Sequence, residues 1–173
     1  MIQLVISPCV ELQLEFDANE IEHFSDCKLQ FLQKGIVETL SEDYLYYFVD
    51  EMLGRLKNIP ILEDDNMWGK IGQWQEYYCY EDDYNEKHAK EITMMESAIF
   101  ISTANYGTFL YSFHNKIWLE INRGFFEGSE FSPMDYYSDP ANYRVLLSGI
   151  SADTLKDWTE KLEDIKKRMK QFS

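Results

Sequence analysis

Cysteine is too scarce, and too oddly placed, to build a disulfide framework or a zinc centre. Cys9, Cys27 and Cys79 make an odd number, with no CxxC pair and no histidines at ligand spacing. Histidine is scarce as well: His23, His88 and His114 lie far apart, and none has the i, i+4 partner of a metallohydrolase helix. No GxSxG elbow, GxxxxGK phosphate loop or GxGxxG fingerprint is present, so the common catalytic signatures are missing. No apolar run approaches the ~18 residues that span a bilayer. The opening MIQLVISPCVELQLEFD lacks the basic segment and long apolar run of a signal peptide, and a cytoplasmic location is expected. The last shortage is of positive charge. Sixteen basic residues face 31 acidic ones for a net charge of −15, well beyond the magnitude of about 2–8 usual for a small domain. Such a chain repels nucleic-acid phosphates and anionic membranes and attracts basic proteins. Neither direct nucleic-acid binding nor a membrane partner is expected, and nothing calls for a cofactor.

What is present supports a substantial core. At 173 residues the chain fits a single domain, 1–173, and 45% hydrophobic with 16% aromatic content argues against disorder. Ile2 to Ser7 reads as a strand halted at Pro8, and Glu11 to Phe16 alternates polar and apolar as a half-buried strand does. Asp17-Ala18-Asn19 marks a turn, with weaker strands at Ile21–Phe24 and at Lys28–Gln33 before Gly35; together these suggest an antiparallel meander. Ser41-Glu42-Asp43 offers a cap hydroxyl and two first-turn acids, and Leu45, Phe48, Val49, Met52, Leu53 and Leu56 form one stripe. An amphipathic helix is therefore predicted over 43–57, ended by Pro60.

Farther on, ITMMESAIFIS after Glu91 looks strand-like, with Ile99 and Ile101 on one side and Gly107 as a break. Thr108–His114 and Ile117–Asn122 read as a β-hairpin turning at Asn115. Gly124–Asn142 reads as a loop and Tyr143–Gly149 as a strand. Ser151 caps a last helix striped by Leu155, Trp158, Leu162, Ile165 and Met169, with Lys166, Lys167, Arg168 and Lys170 suiting the dipole at its end. The predicted class is α+β: an antiparallel sheet packed against two main amphipathic helices at about 41–57 and 152–171.

The stretch EDDNMWGKIGQWQEYYCYEDDYNE, residues 63–86, stands apart. It carries eight carboxylates and one lysine, Lys70, interleaved with Trp68, Trp74, Tyr77, Tyr78, Tyr80 and Tyr84. So acidic a segment should be solvated, yet one so aromatic should not stay loose. Gly69 and Gly72 argue against a long regular element, and Trp68, Ile71 and Trp74 either share a short helical face or anchor the segment. A calcium loop started at Asp64 would have Asn66 and Gly69 in place. Its fifth position is Trp68, however, and its twelfth is Gln75 in place of a bidentate Glu, so the spacing fails. A Cys79–His88 or Cys79–His114 nucleophile pair finds no support in the flanking residues, and no enzyme activity is expected. Two readings remain open for the stretch. Its aromatics tuck under the domain and its acids are solvated, or Tyr and Trp are rigid anchors at an interface whose carboxylates meet Lys or Arg. On the interface reading the partner-binding residues are Asp64, Asp65, Trp68, Trp74, Glu76, Tyr80, Glu81, Asp82 and Asp83.

Three segments carry a likeness to a known group: SEDYLYYFVDEMLGRL at 41–56, YGTFLYSFHNKIWLEINR at 106–123 and YRVLLSGISADTLKDWTEKLEDIKKRM at 143–169. In this layout the chain resembles the immunity proteins of bacterial polymorphic-toxin and contact-dependent growth inhibition systems. The resemblance implies a stoichiometric inhibitor of a cognate toxin domain, often a basic nuclease. Two alternatives stay open: an enzyme of unrecognised type with a Cys or carboxylate nucleophile, and a regulatory interaction module that self-associates through its helix stripe.

Overall fold

The expected opening meander is present in the structure as four antiparallel strands within the first 44 positions. This is a computed structural model describing residues 1–17, 19, 21–74, 87–103, 105–125 and 130–171. The chain is α+β and divides into two compact units, Met1–Asn58 with Ile150–Ser173, and Ile59–Gly149.

In the first unit, β1 (Ile2–Ser7), β2 (Val10–Glu15), β3 (Asp26–Gln33) and β4 (Ile36–Tyr44) pair in that order. Register places Leu4 opposite Leu12 and Leu12 opposite Phe31, so one face of the pleat is a continuous apolar surface. Both tight turns rest on left-handed residues: Cys9 (φ 65) after Pro8, and Lys34 and Gly35 (φ 51 and 82) between β3 and β4. The apolar face is covered by α1 (Leu45–Lys57), which buries Leu45, Phe48, Val49, Met52 and Leu53, and by a long C-terminal helix over Ala152–Gln171. That last helix buries Trp158, Leu162, Ile165 and Met169, and its Trp158 indole N–H donates to the Val5 carbonyl at 3.0 Å. Ser151 caps it as expected, accepting the Thr154 N–H at 3.0 Å. Lys166, in the basic cluster, pairs with Asp50 of α1 at 2.7 Å.

Two expectations fail here. The segment Ser41–Asp43 is not a helix cap but the end of β4, an element that local sequence patterning does not announce. Ladder pairing of Lys28 with Glu42 and Asp26 with Tyr44 keeps it extended, and Lys28 and Glu42 form an ion pair at 3.2 Å. The helix starts at Leu45, whose N–H donates to the Ser25 carbonyl at 2.9 Å, so backbone replaces a side-chain cap. Ile21–Phe24, expected as a strand, belongs to the connection between β2 and β3.

The second unit contains β5 (Ile99–Ser102), β6 (Tyr106–Phe113), β7 (Lys116–Arg123) and β8 (Arg144–Ile150), again adjacent in sequence order. The predicted hairpin is β6–β7, closed by His114 and Asn115 at φ 48 and 59, the left-handed pair that matches strand twist. Gly107 is not a break but a member of β6, paired with Ser102 and Asn122. Residues from Ala89 to Ala98, read as strand after Glu91, form helix α2. Ile92, Met95 and Ala98 recur at helical spacing on its buried side, and its Met, Glu and Ala residues favour helix over their β-branched neighbours. The expected loop over 124–142 contains two short helices, α3 (Pro133–Ser138) and α4 (Pro140–Tyr143). Each begins with proline after a capping side chain: Ser132 accepts from the Asp135 N–H and Asp139 from the Ala141 N–H. Their Tyr136, Tyr137 and Tyr143 form a small buried aromatic cluster with Phe125 against it. The C-terminal helix, Ala152–Gln171, is α5. Among the described residues no helix is long and apolar enough to cross a membrane.

Candidate functional site

The acidic-aromatic segment is anchored in the second unit by alternate residues. Met67 and Ile71 are buried in a cluster with Leu62, Ile92, Met95, Phe109 and Tyr111. Between buried Leu62 and Met67 the four polar residues lie at the surface, Asp64 half-buried and the others exposed. The Asp64 carboxylate accepts the Asn66 backbone N–H at 2.8 Å and its amide at 3.0 Å, while the Asp64 carbonyl accepts the Met67 N–H at 3.1 Å. Asp64 is thus the folding residue of a tight acidic turn, and Asp65 stands exposed beside it. Asp65 Oδ1 lies 3.4 Å from His114 Nε2 with both side chains about three-quarters exposed, a contact of little energetic weight.

Trp68 is 37% exposed. Its ring stacks on Phe113 at 5.9 Å and meets Trp118 edge-on at 5.2 Å, and Phe113 stacks in turn on His114 at 4.1 Å. This gives a solvent-reached aromatic ridge, which Asp65 joins through its contact with His114. Trp74 follows a short 3₁₀ turn, Ile71–Gln73, and is partly buried against the core with its ring 5.0 Å from His88. The structure therefore brings Asp64, Asp65 and Trp68 to one surface and sets Trp74 inward. Glu76, Tyr80, Glu81, Asp82, Asp83 and Cys79 lie outside the described residues.

Beneath the ridge is a buried polar group that sequence reasoning missed. Glu120 of β7 is fully buried, and its carboxylate accepts from the Tyr111 hydroxyl at 2.9 Å, the Asn122 amide at 2.7 Å and the Gly72 N–H at 3.4 Å. The Gly69 N–H donates to the Tyr111 hydroxyl at 3.1 Å, and the Arg144 guanidinium donates to the Gly69 carbonyl. Burial pushes the Glu120 carboxyl above the ordinary range, partly offset by its donors and Arg144, and it pushes the Tyr111 hydroxyl up strongly as well. Both glycines are required by geometry. Gly69 has φ +66, and a Cβ on it would meet Leu147 at 2.8 Å, while a Cβ on Gly72 would meet the Asn122 amide nitrogen at 2.0 Å. The available signal was a carboxylate among the apolar residues of KIWLEINR, sharing a strand face with Trp118 and Asn122.

Among the described residues no group of three or more His, Cys, Asp or Glu is placed to hold a metal ion. Cys9 is exposed and Cys27 is buried; burial pushes the Cys27 thiol up to about 12. Thiolate is the reactive form, so a thiol reagent at neutral pH is expected to modify Cys9 of the folded protein rapidly and Cys27 only on unfolding. Peptide mapping that finds Cys27 labelled as fast as Cys9 would overturn that assignment.

No protein-family model, no curated protein and no solved structure matches this chain. What the fold and the segment define by themselves is an α+β protein with a part-exposed aromatic ridge that Asp65 adjoins through His114.

Proposed function

We propose that this chain is an immunity-type protein, a cytoplasmic, cofactor-free inhibitor that binds and neutralises a cognate toxin domain. The partner is a basic, nucleic-acid-cleaving domain, engaged through residues 63–86. The observation that carries the reading is the position of Trp68: a large aromatic held half-open by Phe113 and Trp118, with Asp65 joined to the same ridge through His114 and Glu63 exposed two residues before Asp65 in sequence, in a chain of net charge −15. Tyr and Trp in such settings dominate binding energy, and surrounding charge sets encounter rate. The resemblance to immunity proteins supplies the class of partner, and the charge supplies its sign.

The test begins with the gene immediately upstream, which is expected to encode a secreted protein with a basic C-terminal domain, and uses that domain for growth rescue and stopped-flow binding. Trp68→Ala is expected to weaken binding about tenfold or more, chiefly through faster dissociation. Glu63→Lys with Asp65→Lys leaves the Asp64 turn in place and is expected to slow association about tenfold at low salt, the gap closing as salt rises. If wild type fails to rescue growth, or if both variants bind within twofold of it, the reading is wrong.

A further inference from the structure

The first unit carries a second acidic-aromatic surface, and it owes nothing to residues 63–86. Phe24 is 70% exposed and Tyr44 44% exposed, unusually open for side chains of this size. They do not stand singly. Phe24 meets Tyr44 edge-on at 5.5 Å and Tyr46 edge-on at 5.8 Å, and Tyr44 stacks with Tyr46 at 6.4 Å. This ridge borders a cleft of about 580 Å³ lined by Glu15, Asp26, Lys28, Glu42, Asp43 and Tyr44. Strand register makes the cleft: Glu15 faces Lys28, Lys28 faces Glu42, and Asp26 faces Tyr44 across neighbouring strands. Glu15 and Glu42 thus flank Lys28 from the two neighbouring strands, Glu42 at 3.2 Å from it, and Asp26 and Asp43 add two more carboxylates to the cleft lining. Because β4 is the outermost strand of its sheet, no further strand of that sheet covers this side.

We propose that this surface docks an arginine-bearing segment of a partner protein, with guanidinium groups stacking on Phe24 and Tyr44 and pairing with the cleft carboxylates. Guanidinium is favoured over ammonium because it is planar, stacks on aromatic faces and forks onto carboxylates. The excess of carboxylates over cations excludes an acidic occupant, and the exposed rings give a cation more than diffuse charge to recognise. The proposal does not depend on the immunity reading, since it concerns another unit and another set of residues.

The test uses a fluorescein-labelled Arg-Gly repeat peptide and its Lys-Gly counterpart, read by anisotropy on the full chain. Phe24→Ala and Tyr44→Ala leave net charge unchanged and are expected to weaken the arginine peptide about tenfold together. Neutralising the cleft (Glu15→Gln, Asp26→Asn, Asp43→Asn) should weaken it several-fold more than removing equal charge from exposed α5 positions (Asp153→Asn, Glu163→Gln, Asp164→Asn). All altered side chains are exposed, and thermal melts confirm that each variant folds. Binding that ignores the aromatic changes, or falls equally with either set of neutralisations, would reduce the effect to general attraction and overturn the proposal. Equal affinity for the lysine peptide would overturn the arginine assignment. A concentration-dependent dimer abolished by Phe24→Ala would instead give the face to a second copy of the chain. Residues 63–86 are untouched throughout, so failure here and failure of the toxin reading are separate results.

Discussion

Replacing Gly72 with alanine is expected to destabilise the protein by about 3–5 kcal/mol, enough to decide whether the second unit folds. The added Cβ would sit 2.0 Å from Asn122 Nδ2 and 2.8 Å from its Cγ. Asn122 cannot swing aside cheaply. It is 1% exposed, and its amide donates to the buried Glu120 carboxylate at 2.7 Å. Relief therefore means either losing that donor or lifting the 71–73 turn off β7, which also stretches the Gly72 N–H bond to Glu120. Gly54 supplies the control. It lies inside α1, and a methyl group added there would meet nothing within 4 Å, so Gly54→Ala is expected to stabilise by about 0.5–1 kcal/mol. Urea unfolding of both variants gives the comparison. Adding Asn122→Ala to Gly72→Ala should cost less than the sum of the two single changes, because the methyl then has room. A Gly72→Ala protein within 1 kcal/mol of wild type would mean that the turn does not press on β7.

Local signals made much of the fold legible. Period-2 alternation exposed β2, the stop at Pro8 marked β1, the turn at Asn115 marked the β6–β7 hairpin, and Ser151 with its stripe at three and four exposed α5. Where the sequence misled, two local codes overlapped. Ser41-Glu42-Asp43 is a good helix cap, yet it is held as strand by pairing with Lys28 and its neighbours, a choice that only β3 can make. ITMMESA is short and apolar enough to suit either period, and α2 wins because Ile92, Met95 and Ala98 find the core of the second unit. The candidate site divides in the same way. Composition alone marked Asp64, Asp65 and Trp68. What holds them in place could not be read, because the contacts from Gly69 and Gly72 to Tyr111, Glu120 and Arg144 join residues 42, 48 and 75 positions apart.

The second large effect follows from the carboxyl at the centre of that clamp. In the unfolded chain Glu120 ionises near its ordinary value of 4.5, whereas burial raises it in the fold. Above pH 4.5 the unfolded chain therefore releases this proton while the folded chain keeps it, and stability attributable to Glu120 falls as pH climbs through the folded value. Glu120→Gln is an isostere of the protonated form and has no such slope. Below pH 4.5 the two proteins are expected to agree within about 1 kcal/mol. As pH rises the Gln variant should gain on wild type, and background titration of the other acids cancels in the difference. Glu120→Ala is expected to cost about 3–5 kcal/mol below pH 4.5, since it opens a cavity and strands the Tyr111 hydroxyl, the Asn122 amide and the Gly72 N–H, and that cost should shrink as pH rises because the Ala variant also lacks the slope. Tyr111→Phe should cost about 1–3 kcal/mol, leaving Glu120 without one donor and the Gly69 N–H without its acceptor. It should also carry the fall in stability to higher pH than in wild type, because a lost donor raises the carboxyl further. Denaturant midpoints from pH 4 to 9 read all of this. If wild type instead gains on Glu120→Gln with rising pH, the carboxylate is ionised in the fold, and its three donors and Arg144 outweigh burial.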